Sequence, residues 1–566
     1  MEFGGGAMTR SLILDVRHLN IESDKDGSLV VNDVSLQIRA GEVLALIGES
    51  GSGKSTISLA CCGMVRPGLR VRSGSVKLEG QDMLAMSPAQ LRRLRGRKVA
   101  YVAQSAAAAF NPVLRLDSQI TESSRIHNSR SEQDANQLAK TLYGRMQLPQ
   151  PESIGSRYPH EVSGGQLQRF MIAMGMMEDP ALIVFDEPTS ALDVTTQIEV
   201  LSAMRAAVRG RNVAALFVSH DLPVVAQMAD RILVLQRGRM IESNATESIL
   251  HRPEKSYTQS LVDAYRRRDA APVRAPVANS QRPPILQLDD VQAGYGARDR
   301  HGMPEKLTLH PTSLTLHAGE IIGIVGESGS GKSTLAQVVA GLLPAASGQI
   351  RLHGQPLSAE SDRRTIEERR KIQILFQMAD TALNPRQTIE DILHRVLVFF
   401  WKMSPAQRRA RTAELLEMVQ LPVELATKYP GQLSGGQKQR INLARALAAQ
   451  PEVLICDEIT SALDTVVGAA IVKLIERLRD ELGLAMLFIS HDLPTVGMIS
   501  DQIRVMQFGR TVEEGPAHRV MREPEHAYTR TLLASVPELR SEWLDERLSL
   551  KPMGDNTARV ELSNFS

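Results

Sequence analysis

The chain has 566 residues, enough for two or more domains with cores of their own. Its 66 Lys and Arg nearly balance 64 Asp and Glu, so no charge excess points to nucleic acid as a partner. No run approaches the roughly 18–20 apolar residues that span a bilayer, and Cys61, Cys62 and Cys456 have neither metal-ligand nor disulfide-framework spacing, which suits a reducing compartment such as the cytosol.

The opening MEFGGGA before Met8 reads as a leader, and residues 1–10 are set outside the fold. The first strong element is an apolar strand, Glu42 to Ile47 (EVLALI), which runs into the glycine-rich loop Gly48 to Thr56 (GESGSGKST). A GxxxxGK[ST] loop after a buried strand presents consecutive backbone N–H groups and a helix N-terminus to phosphate, while its lysine and hydroxyl serve phosphate and Mg²⁺. The basic cluster Arg92 to Lys98 reads as a solvated face, and the stretch from Gln104 to Ser163 lacks β-rich apolar runs and predicts a helical insert. Met171 to Met177 (MIAMGMM) reads as core packing. Three short strands follow: ALIVF (Ala181 to Phe185), AALFVS (Ala214 to Ser219) and RILVLQ (Arg231 to Gln236). Asp186 and Glu187 stand at the end of the first of these and would aim one carboxylate at Mg²⁺ and the next at an attacking water. Arg266 to Pro284 is rich in Pro, Ala and Arg without apolar periodicity, and reads as a tether.

Beyond the tether the series repeats. GESGSGKST recurs unchanged from Gly326 to Thr334 after the strand Glu320 to Val325, and Gln377, Asp457-Glu458 and the runs VLIC, AMLFIS and QIRVMQ follow in order. The offset between copies falls from 278 at the glycine-rich loop (326 − 48) to 271 at SGGQ (434 − 163) and then holds. Two domains of one α/β fold are expected, each alternating strands and helices around a largely parallel sheet.

The ordered set resembles the ABC transporter ATPase family. It comprises the P-loop, Gln104 or Gln377, VSGGQ (Val162 to Gln166) or LSGGQ (Leu433 to Gln437), the Asp-Glu pair, SALD ending at Asp193 or Asp464, and SHD holding His220 or His491. The resemblance implies tandem P-loop NTPase domains over 11–265 and 285–540, joined by the 266–284 linker and followed by a 541–566 tail. Each would have a RecA-like sheet, an antiparallel β subdomain and a helical insert. It further implies that Lys54 and Lys332 hold ATP phosphates within loops completed by Gly48, Ser50, Gly51, Gly53 and Thr56, or by Gly326, Ser328, Gly329, Gly331 and Thr334. Ser55, Gln104 and Asp186, and Ser333, Gln377 and Asp457, would hold Mg²⁺, with the two glutamines also sensing the nucleotide. Glu187 and Glu458 resemble the catalytic bases, and His220 and His491 the switch histidines. Ser163, Gly164, Gly165 and Gln166, with Ser434, Gly435, Gly436 and Gln437, would meet the γ-phosphate held by the other half, so that one chain builds both sites; Asp193 and Asp464 belong to the same nucleotide sites. By residue type alone, a histidine such as His220 is an ordinary core or surface group and Gly-Gly a mere turn; recurrence in register argues for the functional reading.

Departures from the pattern are informative. Tyr295 fits the place of the family's adenine-stacking aromatic in the second half, whereas the equivalent stretch of the first, near Ser23, has none, so the first P-loop should bind ATP less tightly. Ile459 replaces the proline usual after Asp-Glu, and Val162 the usual leucine; neither removes a reactive group. RPEKSYTQSLVDA (Arg252 to Ala264) and EPEHAYTRTLLASVP (Glu523 to Pro537) resemble a tail segment of the oligopeptide, dipeptide and nickel importer branch. No cysteine follows Cys456, so the iron–sulfur centre of some relatives is not expected. The branch implies two membrane permease subunits, an extracytoplasmic solute-binding protein, no nucleic acid, and a place on the cytoplasmic face of the bacterial plasma membrane reached only through the permeases. Core packing is the simpler account of the apolar run Val396 to Trp401 (VLVFFW), with permease docking as its rival. A soluble tandem ATPase acting on ribosomes is the competing function, though its long charged linker is missing here; a DNA-maintenance ATPase would need long coiled coils. The solute, whether peptide, metal chelate or another small molecule, is not written in this chain.

Overall fold

The structure, a computed structural model, describes residues 10–190, 192–270, 273, 283–461 and 463–550. Most of the leader, much of the tether, the tail beyond Leu550, and one alanine in each SALD lie outside the described residues. Contacts divide the chain into two compact units: residues 1–192, 196–262 and the chain from Pro537 onward, and residues 193–195 with 263–536.

The first unit contains β1 (Leu12–Ser23), β2 (Leu29–Arg39), β3 (Val43–Gly48), β4 (Leu69–Leu78), β5 (Gln81–Asp82), β6 (Val99–Val102), β7 (Leu182–Asp186), β8 (Ala214–Val218), β9 (Arg231–Gln236) and β10 (Arg239–Ala245). They form an antiparallel sheet, β2-β1-β4-β5, and a six-stranded sheet, β10-β9-β3-β8-β7-β6, that is parallel apart from β10. Every residue of β3, β7 and β8 is buried, which is why these strands read as unbroken apolar runs rather than alternating ones. Their register places Val218 beside both Leu46 and Asp186, so the chain ends after β3, β7 and β8 emerge together. Met171, Met176 and Met177 are buried, as a core stripe requires.

The second unit repeats this plan with β11 (Pro284–Arg298), β12 (Pro304–His317), β13 (Ile321–Val325), β14 (Ser347–Leu352), β15 (Gln355–Pro356), β16 (Ile372–Leu375), β17 (Val453–Asp457), β18 (Ala485–Ile489), β19 (Gln502–Gln507) and β20 (Arg510–Pro516). The sheet orders are β12-β11-β14-β15 and β16-β17-β18-β13-β19-β20, with Ile489 beside both Ile324 and Asp457.

Between β6 and β7, and between β16 and β17, the described residues form helices and 3-10 turns only, as the insert reading expects. The VLVFFW run corrects the core-packing reading in part. Its helix, Ile389–Trp401, buries Leu397 but leaves Val398 and Phe399 44% and 51% exposed, because one face of a helix cannot hide six consecutive apolar residues. Trp401 is anchored by its indole N–H, which donates to the Ala448 carbonyl at 2.9 Å. No helix among the described residues is long and apolar enough to cross a membrane.

Phe217 on β8 is fully buried against Phe185, with ring centroids 6.3 Å apart, whereas Phe508 is 66% exposed. Phe217→Ala is expected to cost about 3–5 kcal/mol and Phe508→Ala under about 0.5, read from the midpoint of chemical denaturation of the unit that carries each ring.

Candidate active site

The glycine-rich loop begins where β3 ends, and its first residue has to be glycine. A Cβ on Gly48 would lie 2.1 Å from the Leu235 carbonyl oxygen, and on Gly326 2.2 Å from that of Met506; both backbones have positive φ, 148° and 152°. Lys54 Nζ donates to the Gly48 and Glu49 carbonyls at 2.7 and 2.8 Å, and Lys332 Nζ to those of Gly326 and Glu327 at 2.8 Å each. Each ammonium is therefore curled into its own loop at the start of a helix, Lys54–Ala60 or Lys332–Ala340, and burial lowers the pKa of Lys332.

Ser55 Oγ donates to Asp186 Oδ1 at 3.2 Å, and Ser333 Oγ to Asp457 Oδ1 at 3.2 Å. These are paired hard-oxygen groups of the kind that hold Mg²⁺ together with phosphate oxygens. The first carboxylate has more donors than the second: the Tyr101 hydroxyl reaches Asp186 Oδ2 at 2.8 Å and Ser58 Oγ at 3.4 Å. Ile374 and Ala336 occupy the matching positions, and burial pushes the Asp457 carboxyl above its ordinary value.

Glu187 and Glu458 sit one residue past β7 and β17 in left-handed backbone, φ 50° each. Their N–H groups donate to the ends of the neighbouring strands, at Val218 and Ile489, both at 2.9 Å. That conformation is costly for a glutamate, and such cost is characteristic of sites where side-chain direction matters. Gln104 Nε2 donates to Glu187 Oε2 at 3.0 Å and Ser190 Oγ at 3.3 Å; Gln377 does the same to Glu458 at 3.0 Å and Ser461 at 3.1 Å. His220 Nδ1 lies 3.3 Å from Glu187 Oε1, and His491 Nδ1 3.6 Å from Glu458 Oε2. Burial pulls each imidazole pKa down, but the hydrogen bond and charge of the glutamate outweigh it and hold both histidines above their ordinary value. Burial raises each glutamate in turn, and the histidine together with the loop lysine outweighs that, leaving Glu187 and Glu458 below the ordinary range.

SGGQ has a second, purely structural task. Ser163 Oγ accepts from Gln166 N at 3.3 Å while Gln166 Oε1 accepts from Ser163 N at 3.0 Å, a reciprocal cap on the helix Gly164–Met176; Ser434 and Gln437 do the same for Gly435–Leu447, at 3.3 and 2.9 Å. The second glycine is required by packing, since a Cβ on Gly165 would fall 1.9 Å from the Thr196 methyl and on Gly436 2.4 Å from a Val467 methyl. The first glycine, Gly164, has open space around it and Ser163 is exposed, which leaves this helix start accessible. Asp464 caps the helix Thr465–Leu482 by accepting from Val467 N at 3.0 Å, and Asp193 accepts from Thr195 Oγ1 at 2.8 Å. Tyr295 is 44% exposed beside the second loop, its hydroxyl donating to Gln337 at 3.2 Å, within the unit that holds Thr334.

In each unit the lysine, serine, aspartate, glutamate, glutamine and histidine named from the sequence thus gather at one sheet edge, and SGGQ forms a separate helix start. Sequence reasoning missed two contributors. Tyr101 carries no motif. The tyrosines of the repeated YT segments do: the Tyr257 hydroxyl accepts from Glu49 N at 3.3 Å and the Tyr528 hydroxyl from Glu327 N at 3.0 Å, so each segment props its own glycine-rich loop. Their recurrence at a constant offset was the available signal.

A family model described as ABC transporter matches residues 31–190 and 309–461, and one described as the C-terminal region of oligopeptide/dipeptide transporters matches 512–560. The glutathione import ATP-binding protein GsiA of Salmonella paratyphi A is 38% identical over 559 residues, covering 93% of this chain and 89% of that protein. The protein of the same name from Escherichia coli O157:H7 is 38% identical over 557 residues, with the same coverage. With the nucleotide loop, carboxylate pair, glutamine, histidine and SGGQ helix start present in both halves, the chain belongs to the ABC transporter family as a transport ATPase with two ATP-binding domains in tandem.

Proposed function

We propose that this chain is the ATP-hydrolysing motor of an importer for peptides or similar small solutes, acting beneath two membrane permease subunits that receive solute from an extracytoplasmic binding protein. The observation that carries this reading is full-length similarity to glutathione import ATP-binding proteins, joined by the oligopeptide/dipeptide C-terminal match over 512–560. The chain would work peripherally, on the cytoplasmic face of the inner membrane.

In the mechanism, Lys54 and Lys332 exchange their loop carbonyls for ATP phosphates, which the adjoining helix start and N–H groups also hold. Ser55 with Asp186, and Ser333 with Asp457, fit Mg²⁺, which would supply charge neutralisation between the phosphates. Glu187 and Glu458 orient and deprotonate water; their depressed pKa keeps them ionised, while Gln104 or Gln377 and the histidine fix the carboxylate direction. The exposed starts of the SGGQ helices suit phosphate presented by the opposite half, so closure on ATP would complete both sites within one chain.

The second insert offers a docking place for a permease. A cleft of about 450 Å³ is lined by Ile392, Val396, Phe399 and Phe400, with Arg395 and Arg445 at its wall. An apolar cleft with an exposed aromatic ring fits an inserted side chain of a membrane partner's cytoplasmic loop.

Three outcomes are expected. Lys54→Ala, which leaves the Tyr295 site as the binder, should hold ATP about fivefold more tightly than Lys332→Ala, the equivalent of about 1 kcal/mol of ring stacking; equal affinities in nucleotide titration would refute unequal sites. Replacing His220 and His491 together with Gln removes the larger of the influences that depress each glutamate and leaves burial, which raises them, opposed by the loop lysine alone. The acid limb of the ATPase pH profile should therefore move to higher pH, and an unmoved limb would break the assigned pairing. Phe399→Asp should keep the fold, since the ring is 51% exposed, yet abolish co-purification with the permeases from membranes; co-sedimentation with ribosomes instead would overturn the transport reading.

A further inference from the structure

The helices that follow the two switch histidines, Leu222–Met228 and Leu493–Ile499, occupy matching places but are held by different means. After His491 the hold is at the N-terminus. Asp492 accepts from the Thr495 N–H at 3.4 Å and from the Thr495 hydroxyl at 2.6 Å. Val224 stands where Thr495 would be in the first unit and brings no hydroxyl.

The first unit's helix is instead held near its C-terminus, by Gln227. Gln227 is 2% exposed, and its amide joins its own helix to the far end of the chain: Nε2 donates to the Pro223 carbonyl at 3.2 Å, the Glu538 carbonyl at 3.0 Å and the Arg540 carbonyl at 2.7 Å, and Oε1 accepts from Leu544 N at 3.0 Å. Trp543 and Leu544, which open the helix Trp543–Leu550, are fully buried. Ser541 Oγ donates to Glu247 at 2.6 Å, and Asp545 pairs with Arg205. All of these residues belong to the first unit. Met498 occupies the position of Gln227 in the second unit and packs on the apolar core, with no polar group to make such bonds.

We propose that Pro537–Leu550 is a strap that sets the position of the first switch helix, and that Gln227 is the positioning residue through which it acts on His220 and so on Glu187. This rests on the reading of the Glu187–His220 pair as a hydrolytic site. Gln227 bonds to Pro223 and to the strap, not to a reacting group of the site. A helix is stiff, so fixing its last turn fixes the histidine that precedes its first, and small displacements of a positioned group cost rate. The second site obtains the same rigidity from Asp492 and Thr495, which explains why only one of two otherwise repeated helices has a buried glutamine.

The test uses the purified full chain with Gln227→Met, the residue found at the matching position, and with Gln227→Met combined with Val224→Thr, which restores a threonine to Asp221. In the single variant, amide exchange over 222–228 should quicken at least about tenfold with 493–499 unchanged, and kcat for ATP should fall about fivefold with KM held. The added threonine should recover both. Unchanged exchange and kcat, equal quickening of both helices, or an impaired single variant that the threonine does not rescue would each overturn the proposal. The exchange measurement does not depend on hydrolysis, whereas an inactive unaltered chain would count against the ATPase reading itself.

Discussion

Everything in each active site depends on the register of three buried parallel strands. Because Val218 lies beside both Leu46 and Asp186, and Ile489 beside both Ile324 and Asp457, the loop serine, the acidic pair and the switch histidine leave the sheet at one edge within about hydrogen-bonding reach. A slip of one residue in β8 would turn its side chains to the opposite face and carry His220 away from Glu187. The left-handed glutamates are tied to the same register by their bonds to Val218 and Ile489.

The parts of this arrangement legible in the sequence are those written locally. Apolar runs predicted four of the five parallel strands of each unit to within a residue or so, with Arg231–Gln236 and Gln502–Gln507 as observed, but not β6 or β16. The loop, acidic pair and histidine were readable because phosphate and water chemistry demands residue types at short fixed spacings. The antiparallel sheets were expected only through resemblance, for β1 and β11 are bent by register shifts that blur the alternation of buried and exposed residues. Tyr101 and Gln227 were not readable at all. One acts across 85 residues and the other across 311, and a contact between distant segments leaves no period in either.

Duplication has left the two sites alike in their reacting groups and unlike in what supports them. Asp186 has a tyrosine and a second serine beside it where Asp457 has an isoleucine and an alanine. Tyr295 flanks one nucleotide loop and has no aromatic counterpart near Ser23. The YT tyrosines, by contrast, brace both loops in the same way. Within the sites, these differences leave the reacting groups themselves unchanged.

The return of the chain's far end to Gln227 also bears on how such a gene can be rearranged. A first half severed at the 266–284 segment would lack Trp543 and Leu544 and would expose the face they cover, together with a glutamine that loses three of its four hydrogen bonds. Two separately encoded halves could replace this chain only if the second carried its last segment across to the first. The order of the halves is thereby part of the fold.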